Sequence, residues 1–327
     1  MKRNIAIITG GNSSEAEISL LSAETVINNM DDDKYHVYKV VIKGNDWTLI
    51  RDGHNGIPID KNDFSCIIND QKVQFDCAFI VIHGTPGEDG KLQGYLDMLG
   101  IPYTTSGQLT TALTFDKNAC KIYLADHGVR MPASILLKKG QEFSQKDMIN
   151  NVGIPCFVKP NSGGSSFGIS KVQQVNELDK AIGLAFEEGN EVLIEKFIDG
   201  RELTCGVVRQ KGVLKALAVT EIISKKEFFD YEAKYVKGMA DEITPADISE
   251  QIESECKDIS NNLYDFLDCK GIVRFDYILS NGQLFLLEVN AVPGLTDNSL
   301  VPKQAEYAGI TLKDLFSMTL DEALSSD

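Results

Sequence analysis

The stretch GIVRFDYILSNGQLFLLEVNAVPG, residues 271–294, reads as an apolar β-hairpin about Asn281-Gly282, yet its strands carry Arg274, Asp276, Glu288 and Asn290. Strand alternation puts Arg274 and Asp276 on one face, and Glu288 and Asn290 on one face of the partner. A two-residue Asn-Gly turn pairs Ser280 with Gln283 and sets Asp276 opposite Leu287, which parts the acids. A three-residue loop with Gly282 left-handed pairs Leu279 with Gln283 instead. Asp276 and Glu288 then share a face, and Arg274 lies across from Glu288. That register, or a bulge with the same effect, is expected. Two buried carboxylates side by side repel each other and resist desolvation, and a divalent cation removes the conflict. The oxygens of Asp276, Glu288 and Asn290 suit Mg²⁺, which takes its remaining ligands from water and phosphates. A structural salt bridge among Arg274, Asp276 and Glu288 would explain the charges, but not Asn290 or the AVPG turn that follows. The metal reading is therefore preferred.

Away from the hairpin, the chain changes character twice. Residues 4–9 form a continuous apolar run, expected as a buried parallel strand, followed by a Gly-Gly turn and a helix over 15–28. Strands are expected at 34–41 and 77–82, a short helix at 93–99 and an edge segment at 101–103. This alternation predicts an open α/β domain over 1–107. A helix over 115–128 follows. Short strands at 133–137, 156–159 and 168–172, a helix at 177–188 and a strand at 191–197 make an α+β unit over 108–197. Antiparallel strands at 201–208 and 213–223, a polar segment at 224–245 and a helix at 248–267 then lead into the hairpin. A helix from 312 ends a third unit, 198–327.

The 327 residues suffice for two or three domains with proper cores. Thirty-two basic and 48 acidic residues give a formal charge of −16, which disfavours nucleic acid or an anionic membrane as partner. The N-terminal apolar run is too short for a signal peptide, and no window reaches the length of a membrane span. Seven scattered cysteines without CxxC spacing predict reduced, core-packed thiols and a cytoplasmic setting.

Four other segments carry chemistry-bearing residues. In PCFVKPNSGGSSFGISKV (155–172), Lys159 stands at the base of a Gly/Ser loop. Such a loop lets backbone N–H groups approach a phosphate chain, although an ordinary hairpin tip has the same composition. It is neither GxxxxGK[ST] nor GxGxxG. Residues 195–202, EKFIDGRE, leave a strand whose free backbone edge could bond an adenine, with an acid to hold ribose; on this segment alone a plain interdomain linker is the preferred reading. FFDYEAKYVKG (228–238) alternates aromatics and charges, as a lid or a solvated loop would. Glu15 and His83 follow first-domain strands at their carboxyl ends, where open sheets bind ligands, although a turn-capping histidine is the commoner case.

Taken in order, GGNSSEAEISL (10–20), HGTPGEDGKLQGYLDMLGIPYT (83–104), FDKNACK (115–121), VKPNSGGSSFGISKV (158–172), DYEAKY (230–235) and RFDYIL with LLEVNAVPGLTDNSLVP (274–302) closely resemble the D-alanine–D-alanine ligase family. That family belongs to the ATP-grasp superfamily, and the resemblance spans nearly the whole chain. It implies an ATP-grasp fold in which two α+β subdomains hold ATP, behind an N-terminal open parallel-sheet domain. It implies ATP and two Mg²⁺ ions as cofactors, with Mn²⁺ as a substitute, D-alanine as substrate, and a homodimer. By resemblance, Lys117, Lys159, Ser165 and Ser166 would bind ATP phosphates, and Lys234 would reach the γ-phosphate. Glu195, Lys196, Phe197 and Ile198 would hold adenine, and Glu202 the ribose. Asp276, Glu288 and Asn290 would bind the metal ions. Glu15 would hold the first D-alanine's ammonium and link through Ser165 to Tyr235 in a lid. Arg274 and the Gly294 N–H would form an oxyanion hole. Ser299 and Leu300 would bind the second D-alanine's carboxylate, with His83 near the substrates. Asp297-Asn298 fills a variable pair beside that second subsite.

Three rivals are weighed against this reading. One is a relative adding D-lactate or D-serine, which the lid and residues 296–300 would distinguish. Another is a nucleotide-binding regulator without catalysis, which need not keep the Asp276/Glu288/Asn290 set. The third, an NAD-dependent dehydrogenase, needs a GxGxxG turn that GGNSSE does not supply.

Overall fold

The computed structural model describes residues 2–51, 56–164, 168–224 and 240–325. Its first sheet runs in the order β4-β3-β2-β1-β7. It comprises β1 (Arg3–Gly10), β2 (Tyr35–Lys43), β3 (Asp46–Ile50), β4 (Ile57–Pro58) and β7 (Cys77–Ile80), while β5 (Cys66–Ile68) and β6 (Gln71–Val73) form a separate small hairpin. Strand β1 is parallel to both β2 and β7. The apolar run of β1 is unbroken because both its faces are buried. Ile5 and Ile7 pack with Ala23 and Val26 of α1 (Ala16–Asn28), whereas Ala6 and Ile8 pack with Leu92 and Leu96 of α2 (Lys91–Leu99).

The second sheet, β10-β9-β11-β8, is antiparallel and built from β8 (Ser134–Lys138), β9 (Cys156–Pro160), β10 (Ser170–Val172) and β11 (Glu191–Lys196). Helices α5 (Gln145–Val152) and α6 (Leu178–Ala185) pack on it, whereas α3 (Gln108–Phe115) and α4 (Lys117–Leu124) send Leu113, Cys120 and Leu124 to the core of the third sheet. Met148, Val152, Leu178 and Ile182 of α5 and α6 bury the inner face of the sheet. The third sheet, β14-β13-β12-β15-β16, is also antiparallel. It uses β12 (Arg201–Gln210), β13 (Val213–Ser224), β14 (Ala240–Ile243), β15 (Val273–Ser280) and β16 (Gln283–Asn290). Helix α7 (Glu250–Phe266) covers one face, with Cys256, Leu263 and Tyr264 packed on Leu203, Phe275 and Tyr277. From α8 (Leu300–Tyr307) and α9 (Leu312–Leu324) come Val301, Leu315 and Phe316, which join the core shared with β1.

Several expectations needed correction. The helix expected over 115–128 is shorter, α4 running from Lys117 to Leu124, and a separate helix, α3, precedes it. Asp116 adopts an extended conformation between α3 and α4, and its carboxylate accepts the Ala119 N–H at 2.8 Å as the cap of α4. The strands β3 to β6 and the helices α3, α5 and α8 lacked strong enough periodicity to be read, and β14, paired with β13, lies inside the stretch expected as a polar segment over 224–245. The hairpin loop is the two-residue form, with Asn281 and Gly282 both left-handed and Ser280 paired with Gln283. A bulge then shifts the ladder between Asp276 and Tyr277, leaving Leu287 as the extra residue. Asp276 therefore faces Glu288 after all, by the bulge rather than the three-residue loop, and Arg274 faces Asn290 instead of Glu288.

All seven cysteines are buried free thiols. Burial pushes the thiols of Cys77 and Cys120 up to about 12, which suppresses the reactive thiolate. Ellman's reagent is therefore expected to find no thiol in the native protein and all seven after unfolding. A thiol that reacts within seconds in the folded state would contradict this packing.

Among the described residues, no helix is long and apolar enough to cross a membrane.

Candidate functional site

Two cavities meet behind the hairpin. One, of about 560 Å³, lies between the second and third sheets and is lined by Lys159, Glu195, Phe197, Ile198, Glu202 and Asp276. The other, of about 600 Å³, opens beside the first sheet and is lined by Glu15, His83, Asn290, Gly294, Ser299 and Leu300. Lys117, Gly163, Gly164, Arg274, Glu288 and Leu300 border both.

The floor of the first cavity is a buried charge cluster. Glu195, only 3% exposed, takes Lys159 Nζ at 2.7 Å on one oxygen and Lys121 Nζ on the other. Burial would raise this carboxyl, but the two ammonium groups outweigh it and hold it below the ordinary carboxylate range. At Lys159 burial is likewise outweighed, by Glu195 and Glu288, so its ammonium is held above its usual value. At Lys121 burial prevails over Glu195, and its ammonium is held below. Two cations against one anion leave a positive surplus facing the cavity. Lys117 adds to it from the first turn of α4, with Nζ 2.7 Å from the Gly163 carbonyl and 3.7 Å from Glu288 Oε2.

Lys121 was not anticipated, although its place four residues after Lys117 puts both on one face of α4. Asn161 also went unread. It is buried, its side-chain oxygen accepts the Asn118 N–H at 2.9 Å, and its amide donates to Asp116 at 2.8 Å and Glu191 at 3.0 Å. Asn161 thereby ties the glycine-rich loop to the start of α4.

The adenine expectation needs one correction. Strand β11 is interior, paired with β8 and β9 through Lys196, and the Phe197 N–H bonds the Pro155 carbonyl at 3.3 Å. The free edge expected at 195–198 thus begins at Ile198. The Glu195 side chain serves the lysines. Phe197 lines the wall, with Lys171 Nζ 4.3 Å from its ring centre and Phe157 tilted against it. These apolar and aromatic surfaces suit a flat heterocycle.

On the hairpin, Asp276 is the most heavily engaged group. Arg274 grips it through Nε and Nη2, both at 2.8 Å, Thr204 donates to Oδ1 at 2.7 Å, and Asn290 donates to Oδ2 at 2.9 Å. The Arg274–Asp276 salt bridge considered from sequence is present, and Glu288 Oε2 lies 3.7 Å from Lys117 Nζ. Among the described residues no group of three or more His, Cys, Asp or Glu side chains could hold a metal. The hairpin set of two carboxylates therefore depends on Asn290 for a third oxygen.

In the second cavity, Glu15 is buried against the loop after β9. A Cβ at Gly164 would stand 2.6 Å from Glu15 Oε2, so a side chain there would push this carboxylate aside. His83 is 6% exposed and lines this cavity. Its backbone N–H bonds Ser19 Oγ and its carbonyl accepts Ser13 Oγ, while its Nε2 is buried without a hydrogen-bond partner among the described residues. Burial lowers the imidazole pKa, so the ring is neutral at pH 7. Ser299 Oγ lies 2.7 Å from Thr296 Oγ1 and would sit 3.0 Å from a Cβ on Gly294. Leu300 begins α8 beside it. Ser165, Ser166, Lys234 and Tyr235 lie outside the described residues.

Family models described as D-ala D-ala ligase N-terminus and D-ala D-ala ligase C-terminus match residues 4–106 and 124–321. A D-alanine–D-alanine ligase of Parabacteroides distasonis is 46% identical over 327 residues, which is 100% of this chain and 99% of that protein. The VanG D-Ala:D-Ser ligase from Enterococcus faecalis superposes with a TM-score of 0.87 at 31% identity, covering 99% of this chain and 100% of that one. The D-alanine–D-alanine ligase from Bacillus anthracis complexed with ATP gives 0.79 at 31% identity, covering 98% of this chain and 97% of that one.

Proposed function

Since this chain belongs to the D-alanine–D-alanine ligase family, with the ATP-grasp fold and the ATP-dependent joining of two D-alanines for peptidoglycan synthesis, we propose a division of labour between its two cavities. The observation that carries it is their common border of Lys117, Arg274 and Glu288. Through it, a nucleotide in one cavity presents its terminal phosphate to an amino acid in the other.

In this reading adenine lies on Phe197 and Ile198, with Glu202 at the ribose. Lys117 and Lys159 face the phosphates, and Glu195 positions Lys159 and Lys121 beneath them. Asp276, Glu288 and Asn290 form an oxygen-only donor set that fits Mg²⁺ better than a softer metal, with Mn²⁺ a substitute. When bound, the two ions neutralise phosphate charge. Glu15 holds the ammonium of the first D-alanine, whose carboxylate attacks the γ-phosphorus to give D-alanyl phosphate and ADP. Phosphoryl transfer of this kind depends chiefly on positioning and charge stabilisation. Ser299 and Leu300 hold the second D-alanine by its carboxylate. Its deprotonated amine attacks the acyl carbon, Arg274 and the Gly294 N–H stabilise the oxyanion, and phosphate leaves; one such donor is worth about 3 kcal/mol. Ser165, Ser166, Lys234 and Tyr235 would close the site from the loop and lid, excluding water from the acyl phosphate.

The same reading divides the chain at 1–107, 108–197 and 198–327, with a lid over 224–245, and makes the protein a cytoplasmic homodimer that binds neither membrane nor nucleic acid. Phosphate release from Mg-ATP, with mass analysis of the product, tests the reaction. D-alanine-dependent release with D-alanyl-D-alanine as product is expected. ATP turnover indifferent to D-alanine, or a product formed only with D-serine or D-lactate, would overturn it.

A further inference from the structure

We propose that Glu88 is a second carboxyl of the first amino-acid site, sharing the substrate ammonium with Glu15 and with the unpartnered Nε2 of His83. The inference rests on the functional reading above and adds to it a residue that the resemblance did not supply. An ammonium group carries three N–H donors. Glu15, His83 and Glu88 line the same cavity, and together they offer three acceptors of suitable chemistry.

The loop that carries His83 and Glu88 is built to aim them. The Gly87 and Glu88 N–H groups both bond the Gly84 carbonyl, at 2.9 and 2.8 Å, and the Gly84 N–H donates to Glu88 Oε2 at 2.6 Å. Gly84 has φ +72°, and a Cβ there would stand 2.7 Å from Ser13; one at Gly87 would stand 2.4 Å from the Ile82 carbonyl. Fully buried Gln93 holds the loop from behind, donating to the Gly87 carbonyl at 2.6 Å. The Glu88 oxygen that does not take Gly84 has no hydrogen-bond partner among the described residues.

Charge explains why this oxygen waits for a cation. Burial pushes the Glu88 carboxyl up to about 8, Glu15 and Glu288 push the same way, and the Gly84 N–H and Lys117 oppose them. Glu88 is therefore protonated at pH 7, because burial and the neighbouring carboxyls disfavour its charge. An arriving ammonium removes the penalty on the second charge. Glu88–COOH then loses its proton to solvent and becomes the carboxylate that holds the substrate's NH₃⁺.

Glu88→Gln tests this without disturbing the loop, because the amide oxygen still accepts the Gly84 N–H. With the protein saturated by a non-hydrolysable ATP analogue and Mg²⁺, D-alanine binding is followed calorimetrically in buffers of different ionisation enthalpy. The wild type is expected to release close to one proton near pH 7, and Glu88→Gln none. KM for the first D-alanine should rise about tenfold, the worth of one charge-assisted hydrogen bond, with kcat changed much less. Glu88→Ala, which also loses the loop contact, should raise that KM at least as much. A purely structural role predicts damage from alanine but not from glutamine.

Stability supplies a second readout. A folded-state value of about 8 against an ordinary 4.5 means that the contribution of protonated Glu88 is lost as pH rises through that interval. Ligand-free Glu88→Gln should therefore melt above the wild type at pH 8, and the gap should close towards pH 4.5. Unchanged KM and unchanged proton release in Glu88→Gln would overturn the inference and leave the ligase reading intact. Failure of the wild type to use D-alanine at all would instead remove that reading.

Discussion

Asp276→Asn is expected to lower turnover by about a thousandfold or more, on the scale of removing a metal ligand from a phosphoryl-transfer site. The side chain hardly changes in volume, so the loss comes from charge and from donor placement. Asp276 accepts from Arg274 twice, from Thr204 and from Asn290. An asparagine amide must turn an NH₂ towards at least one of these donors. Arg274 then loses its two-pronged partner and can swing from the position the oxyanion needs. Thr204→Val, isosteric but unable to donate to Oδ1, should show a milder loss of about tenfold, as one hydrogen bond to a charged group is worth. Mg²⁺ titration of ATP-dependent activity distinguishes the two: Asp276→Asn should shift the Mg²⁺ requirement strongly and Thr204→Val slightly. Wild-type turnover in Asp276→Asn would exclude the hairpin as the metal wall.

Glu195→Gln is expected to destabilise the fold by about 3–5 kcal/mol, because it leaves two buried ammonium groups without their anion. Urea unfolding measures this directly. Among the described residues Lys159 has no alternative acceptor as close as Glu195 at 2.7 Å, and Lys121 keeps the Pro132 carbonyl at 2.6 Å. The pH dependence has a definite sign. The Glu195 carboxyl is held below its ordinary value, so its contribution is full above about pH 4.5 and disappears as pH falls through the folded-state value. The gap between wild type and variant should narrow in acid. A loss under about 1 kcal/mol at pH 7 would mean that water reaches the cluster and screens it.

The hairpin shows how far sequence reading carried. The alternation of Arg274, Asp276, Glu288 and Asn290 was enough to demand a common polar face, and the structure has one. The means was different: a bulge at Leu287 in place of a longer loop. Local turn chemistry at Asn281-Gly282 favoured the two-residue turn, whereas the third sheet required the acids to meet. Both demands were satisfied by inserting one residue between them. Lys159 does stand at the end of the strand that leads into the glycine-rich loop, as its place in the sequence suggested. Its partner Glu195 was assigned to adenine, because a residue's position on a strand does not say which neighbour its side chain meets.

What the sequence determined by itself was therefore the strongly patterned elements, such as β1, α1, β12, β13 and the hairpin strands, and the polar residues set among them. Apolar runs, glycine turns and charged positions in a greasy hairpin are local signals, set by backbone sterics and desolvation. Tertiary structure alone decided which charges meet: Lys121 and Lys159 on Glu195, Thr204 on Asp276, Glu88 beside Glu15 and His83. Those pairings join residues up to 74 positions apart through sheet register and helix packing. Electrostatic energy depends on distance in space and on burial, and neither quantity is written in the spacing along the chain.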